Sequence, residues 1–258
     1  MIYVTGDIHG QFNPLLYILE NGDYSGSSVF IAGDIGIGFY GINIDLENLK
    51  SIEKRLKKID VNLYLVRGNH DNPGYWFYAA TPHGFKNLNL PHIHFVRDYQ
   101  FIKLEGHKIA CVGGATSIDR DQRILGKDWW KDEHVLKYKS LHHADGIDTV
   151  ISHAAPIFCP PGDNNVKGVS YDILQQSRED REILKQLYFD LIQESKITNW
   201  FYGHYHKKYE TWMSNDITNY SSLDIKLATS FSEPTGEDEC RFRGLADLRG
   251  TTIDIESL

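Results

Sequence analysis

Five short stretches carry side chains able to hold a metal ion or move a proton: Asp7-Ile8-His9, Gly33-Asp34, Asn69-His70-Asp71, Ser152-His153-Ala154 and Gly203-His204-Tyr205-His206. Asp7 and His9 are two residues apart, so in an extended chain both leave the same face and can reach one ion. Asp-x-His alone is a weak signal, common in surface turns, and its weight comes from the four later stretches that answer it. Together they offer the carboxylates Asp7 and Asp34, the imidazoles His9, His153, His204 and His206, and the Asn69 oxygen, with His70 beside it. Hard oxygen and imidazole without thiolate suit manganese, iron or zinc better than calcium, and the set exceeds what one tetrahedral ion can use. Two divalent ions are the economical reading, manganese first, with iron or zinc as alternatives.

Such ligands must be held by something rigid. Apolar runs at 28–31, 61–66 and 149–151 precede three of the stretches, and Trp200-Phe201-Tyr202 precedes the last. Ligands therefore gather where strands end, which in a parallel sheet is where loops are free to bind. Between the strands, residues 12–20 place Phe12, Leu15, Leu16 and Leu19 at helical spacing, with Pro14 in the first turn. Residues 45–59 put Leu46, Leu49, Ile52, Leu56 and Ile59 on one face, and Glu53, Lys54, Arg55, Lys57 and Lys58 are expected to face water. This β-α-β-α-β rhythm implies a parallel sheet.

From His92 the pattern changes. Residues 92–96, 99–105 and 108–112 read as successive strands, the last two joined at Glu105-Gly106-His107, and are expected to open a second sheet. The excursion 115–131 carries Arg120, Arg123, Lys127, Trp129 and Trp130; the tryptophans either pack under the loop or, with the arginines, offer a substrate-binding face. Ser177 and Asp180 resemble a capping box that opens a helix with Ile183, Leu184, Leu187, Leu191 and Ile192 inward. Closing strands are expected at 225–228, 241–242 and 252–255.

The chain of 258 residues, 41% hydrophobic, shows no linker, repeat or low-complexity tract, and reads as a single domain over 1–258. No run of apolar residues approaches a membrane span and no leader is evident, so a cytoplasmic protein is expected. Cys111, Cys159 and Cys240 are too scattered for a disulfide framework or thiolate site and read as small core residues. His83, His92, His94, His107, His134, His142 and His143 read as hydrogen-bonded core histidines. A formal net charge of −8 argues against bulk binding of long nucleic acid and leaves small phosphorylated substrates open.

In their order, Asp7-x-His9, Gly33-Asp34, Gly68-Asn69-His70-Asp71, Ser152-His153 and Gly203-His204-x-His206 resemble the motif set of the calcineurin-like metallophosphoesterases. The resemblance runs from residue 3 to residue 206. It implies an α/β fold of four layers, αββα, with two mixed β-sheets face to face, helices outside and two metal ions at one edge. By position, it implies that Asp7, His9 and His206 hold one ion and Asn69, His153 and His204 the other, with Asp34 bridging. The implied reaction is hydrolysis of a phosphomonoester or phosphodiester through a metal-bridging hydroxide, since two cations about 3.5–4 Å apart activate a shared water and steady both oxygens at phosphorus. His70 resembles the family's general acid. Asp71 is the nearest candidate to orient it, although adjacent side chains on a strand point to opposite faces.

Gly33-Asp34-Ile35-Gly36-Ile37-Gly38 lacks the acid and arginine that follow this motif in Ser/Thr protein phosphatases. The stretch 113–119 followed by Trp129-Trp130 instead resembles small bacterial and phage members. Two other readings stay open: a nuclease or RNA-end phosphatase, if the Arg120, Arg123, Trp129 and Trp130 excursion forms a groove, and a noncatalytic metal-binding scaffold, against which the intact ligand set speaks.

Overall fold

The structure is a computed structural model that describes residues 1–79, 88–138, 141, 144–161 and 168–206, and beyond these the backbone of the strands named below. In the first sheet, β1 (Ile2–Thr5), β2 (Ser28–Ala32), β3 (Asn62–Val66) and β4 (Ile93–Val96) run parallel. Three helices accompany them: α1 (Phe12–Asn21), α2 (Ile42–Ile59) and α3 (Pro73–Ala79). The second sheet starts with β5 (Gln100–Leu104), antiparallel to β6 (His107–Val112), and continues in parallel through β7 (Thr149–Ser152) and β8 (Asn199–Tyr202). One helix, α4 (Tyr171–Leu191), links β7 to β8.

The rest of the chain supplies β9 (Glu210–Met213), β10 (Ile225–Ala228), β11 (Ser232–Thr235), β12 (Glu239–Phe242), β13 (Gly244–Asp247) and β14 (Thr252–Asp254). β13 adds to β1 antiparallel and β10 to β8 parallel, so the sheet orders are β14-β13-β1-β2-β3-β4 and β5-β6-β7-β8-β10-β9, with β11-β12 a separate ribbon.

Period-two alternation on the strands sorts the apolar side chains into three layers of core. Ile2, Val4, Phe30, Ala32 and Val66 of the first sheet meet Ile109, Cys111, Ile151 and Phe201 of the second. Tyr3, Val29, Ile31, Leu63 and Leu65 turn the other way onto α1, α2 and α3. Ala110, Val112, Val150, Trp200 and Tyr202 turn outward onto Leu184, Leu187 and Leu191 of α4. The result is the expected αββα sandwich. Among the described residues no helix is long and apolar enough to cross a membrane.

Several local expectations are corrected. β4 completes the first sheet and the second begins only at β5. The turn between β5 and β6 has Glu105 and Gly106 both at positive φ (49° and 86°), as a two-residue hairpin of type I′ requires. Glu53 is buried rather than solvated, because it accepts from the His92 main-chain N–H (3.0 Å) and meets its ring Nδ1 (2.6 Å). Ser177 and Asp180 cap nothing. They lie inside α4, which starts at Tyr171. His94 stacks on Tyr64, while His107 meets Asp148 and His134 the Lys131 carbonyl, none of them fully buried. Cys111 and Cys159 are buried and free. His83, His142, His143, the Cys240 side chain and residue 255 lie outside the described residues.

Two buried carboxylates fasten this frame. Asp71 accepts four main-chain N–H groups: Ile35 (3.1 Å) and Gly68 (2.7 Å) on Oδ2, Gly36 (2.8 Å) and Ile37 (3.1 Å) on Oδ1. It thereby clamps the loop after β2 to the loop after β3. Asp180 reaches from α4 to Thr116 Oγ1 (2.6 Å) and the Val135 N–H (3.0 Å), and burial pushes its carboxyl up to about 7.

Each clamp has a measurable consequence. In Asp71→Asn, whichever way the amide faces, its NH₂ meets two N–H donors, which should cost about 2–5 kcal/mol. That is a fall of roughly 5–15 °C in melting temperature for a chain this size. A melt within a degree of wild type would remove the clamp from the account. Asn at position 180 mimics the protonated acid. Between the ordinary carboxylate range and about pH 7, folded wild type keeps a proton that the unfolded chain has released, so its stability falls with rising pH, by at most about 1.4 kcal/mol per unit. Melts of Asp180→Asn and wild type from pH 4 to 8 should show the difference moving in the variant's favour as pH rises. Parallel curves would rule out the titration.

Candidate metal centre

All five motif stretches emerge at the carboxyl ends of parallel strands and converge at one edge of the sandwich. The pairing of β1 with β2 continues into the loops, with Asp7 N–H on Gly33 O (3.1 Å), His9 N–H on Asp34 O (2.8 Å) and Gly10 N–H on Ile35 O (2.7 Å). On the second sheet, His153 N–H bonds Val112 O and Gly203 N–H bonds His153 O, both at 3.1 Å. The loops therefore inherit the rigidity of the strands. Two glycines make room for these residues: a Cβ on Gly33 would meet His153 Nδ1 at 2.1 Å, and one on Gly68 would meet Asp34 N at 2.1 Å.

Asp7, His9, Asp34 and His206 bring one ligand atom each within 4.8 Å of one another, and so do Asp34, His153 and His204. Asp34 belongs to both groups. Its Oδ1 lies 3.2 Å from His153 Nε2 and its Oδ2 3.8 Å from His9 Nε2. Asn69 joins the second group, its Oδ1 being 2.8 Å from His153 Nε2 and 2.9 Å from His204 Nδ1. Every residue expected as a ligand is thus gathered at one place. Asp7, His9, Asp34, His204 and His206 also take positive φ (53°, 42°, 49°, 74° and 47°), a costly conformation for residues other than glycine.

The electrostatics fit a cation. Asp7 and Asp34 are each 1% exposed, and Asp7 Oδ2 is buried without a hydrogen-bond partner among the described residues. Burial raises the Asp7 pKa, and the neighbouring Asp34 charge adds to the rise against the pull of His153. Burial also opposes charge on Asp34, but His153 overrides it and holds Asp34 well below the usual range. For His153 burial pulls down, yet Asp34 and Asp7 raise it to about 9. Its Nδ1 faces the Ala32 carbonyl at 2.8 Å, so Nδ1–H donates there and Nε2 is the nitrogen turned to the centre. His9 Nε2 and His206 Nε2 stand 3.1 Å apart, a contact that sets lone pair against lone pair unless a proton or a cation lies between them. Two carboxylates, four imidazoles and an amide oxygen are a donor set for divalent metal.

The residues expected to act on substrate fall into two places. His70 borders the centre, its N–H on Asp34 Oδ1 (2.8 Å) and its ring edge-on to His9. Arg123 caps it, with Nη2 2.8 Å from His70 Nε2 and 2.7 Å from Asp119 Oδ2. Asp71 does not touch the His70 ring, its oxygens being committed to the four N–H groups already described. Arg120 lies over the Trp129 ring at 6.0 Å. Trp130 is buried edge-on against Phe39, itself stacked near His70, so it packs beneath the rim rather than lining it.

Two residues that the sequence reading passed over stand directly behind the centre. Asn69 Nδ2 donates to Ser117 Oγ (3.0 Å), which donates to Glu133 Oε2 (2.7 Å), while Ser117 N–H bonds Glu133 Oε1 (2.8 Å). In sequence Glu133 looks like the exposed acids Asp121 and Asp132 near it. What buries it is Arg67, 1% exposed, which pairs with Asp98 and donates to the carbonyls of Asp132, Glu133 and His134.

Comparison with known proteins agrees with this geometry. Residues 1–208 match the family described as calcineurin-like phosphoesterase. The chain is 27% identical over 224 residues to a symmetrical bis(5'-nucleosyl)-tetraphosphatase of Marinomonas sp. (strain MWYL1), covering 86% of this chain and 62% of that protein. It is 31% identical over 143 residues to a Schizosaccharomyces pombe protein whose name includes serine/threonine-protein phosphatase, covering 51% of this chain and 45% of that one. The chain therefore spans less than two thirds of the length of either curated relative. The crystal structure of TT1561 of Thermus thermophilus shares the fold, with a TM-score of 0.50 at 15% identity over 98% of this chain and 97% of that one. With the family match spanning every stretch that reaches the centre, this chain belongs to the calcineurin-like phosphoesterases.

Proposed function

We propose that the chain is a dinuclear metal-dependent phosphoesterase acting on a small phosphorylated substrate, with nucleotides the leading class. The observation that carries this reading is Asp34, which belongs to both ligand groups and can serve two ions at once. Asp7, His9 and His206 would complete one site, and Asn69, His153 and His204 the other; the mixture of oxygen and imidazole favours manganese. When bound, the ions supply the positive charge that activates water and steadies the oxygens at phosphorus. The tetraphosphatase relative supports a nucleotide substrate, which carries several phosphates and an aromatic base. We further place the protein in the cytoplasm, where buried free thiols such as Cys111 and Cys159 persist, and treat residues 1–258 as one working domain, because strands from the tail complete both sheets.

The chain's own residues divide the remaining work. Arg123, poised over His70, is placed to take a phosphate oxygen, while Arg120 and Trp129 border the entrance and Trp130 supports it. Burial pushes the His70 imidazole down to about 4, Asp34 resisting and Arg123 adding to the fall. His70 is therefore neutral at pH 7 and faces the Arg123 guanidinium in the free protein. A phosphate that draws Arg123 off the ring would remove one of the influences that hold the His70 imidazole down.

Two variants test the reading. Asp34→Asn should reduce bound Mn²⁺ below two per chain and lower turnover by at least about 10²-fold, measured by metal analysis and by hydrolysis of an aryl phosphomonoester and its bis-diester. Normal turnover with both ions retained would refute the bridge. His70→Asn should slow alkyl phosphates by about 10² to 10⁴ and nitrophenyl phosphate far less, because a leaving group that departs readily as an anion needs no proton. Equal losses on both substrates, with metal content unchanged, would reassign His70 to holding Arg123 and the phosphate.

A further inference from the structure

An asparagine offers a metal only one of its two nearly identical ends, so something must decide which end faces the centre. The structure places that decision at Ser117 and Glu133. The Ser117 main-chain N–H can only donate, and it fixes Glu133 Oε1 as an acceptor at 2.8 Å. The other carboxylate oxygen takes the Ser117 hydroxyl hydrogen at 2.7 Å. Only lone pairs are then left on Oγ to face Asn69, which must answer with its NH₂ at 3.0 Å. The amide oxygen is thereby turned to His153 Nε2 (2.8 Å) and His204 Nδ1 (2.9 Å). Asn69, Ser117 and Glu133 are 2%, 1% and 3% exposed, so solvent cannot substitute for any link.

We infer that Ser117 and Glu133 form a polarity lock that sets the Asn69 amide oxygen toward the second ion, making them positioning residues for the metal centre. The inference rests on the proposed reading of Asn69 as a ligand. The lock is itself anchored to the strand that it serves. Glu133 O accepts from Arg67 Nη1 (3.0 Å) and from Ala115 N–H (3.0 Å), and Arg67 stands two residues before Asn69 at the end of β3. One strand end thus delivers the ligand and also holds the loop that orients it.

Glu133→Gln is the informative variant because it keeps shape and reverses polarity. Its amide oxygen can still face the Ser117 N–H, but its NH₂ then meets Ser117 Oγ and turns the hydroxyl hydrogen toward Asn69, which must present oxygen to the lock and NH₂ to the histidines. In calorimetric titration of the metal-stripped full chain with Mn²⁺, wild type should show two sites, and Glu133→Gln should weaken one of them about 10- to 100-fold, the usual scale for groups that orient a ligand. Ser117→Ala, which deletes the acceptor without installing a donor, should weaken the same site by less. Asp at position 69 has oxygen at both ends and nothing to orient, so in an Asn69→Asp background Glu133→Gln should cost little further. Unchanged Mn²⁺ affinity in Glu133→Gln overturns the lock. Equal weakening in both backgrounds overturns it too, as that is how a purely structural role behaves. A wild type that takes up a single Mn²⁺ overturns the dinuclear reading and the lock with it, whereas two sites indifferent to Glu133 overturn the lock alone.

Discussion

Asp34 sits where two sheets meet, almost wholly out of water, with Asp7 beside it and the imidazoles of His9 and His153 against its two oxygens. Buried charge is tolerated only when something pairs with it, and an uncompensated carboxylate in such a place costs several kcal/mol. His153, drawn up by the two acids, answers part of the charge, and an Asp7 oxygen without a hydrogen-bond partner among the described residues marks a part left over. The fold is arranged to sustain this concentration of negative charge. Both sheets aim the ends of their parallel strands at it, and the main-chain N–H groups of His70 and His204 bond Asp34 and Asp7 at 2.8 Å.

Holding these side chains close also bends the backbone. Five of them adopt left-handed φ, a conformation that persists only when the surroundings over-determine it. The surroundings here are identifiable: the β1–β2 ladder that runs on past the strands, the absent side chains of Gly33 and Gly68, and the four N–H groups gathered on Asp71. Asp71 works on the loops and not on the His70 ring. Sequence proximity to His70 made it a candidate partner, but its oxygens are already occupied.

The candidate ligands stood out because their stretches repeat a local sign, an apolar run followed by a metal-binding side chain. Glycine stands directly before that side chain in Gly6-Asp7, Gly33-Asp34, Gly68-Asn69 and Gly203-His204, and Ser152 takes its place before His153. The buried strands were legible as short apolar, β-branched runs. What escaped were acids whose partners come from afar. Glu53, Glu133 and Asp180 look solvated or cap-like in sequence, because a carboxylate buried against distant main-chain N–H groups has no local signature. The placement of β4 escaped for a related cause, since a short apolar strand records that it pairs but not with which sheet. Ser177 and Asp180 show the limit of motif reasoning: the spacing of a cap is also the spacing of one helical turn.

The tail strands carry a further consequence, for the order in which the molecule can assemble. Tyr3 pairs with Asp247, and Trp200 with Leu227, so β1 and β8 lie inside their sheets only because strands from the last part of the chain come to rest beside them. Both are short strands of largely buried residues. Until β13 and β10 arrive, each is an open edge with unpaired N–H and C=O groups, the kind of surface that recruits a neighbouring chain into aggregation. The entropic cost of closing so long a loop grows only slowly with its length, but contacts this distant in sequence form late. During synthesis, therefore, β1 and β8 are made well before their outer edges are covered, and the interval in which they are open to misassembly lasts until β13 and β10 have docked.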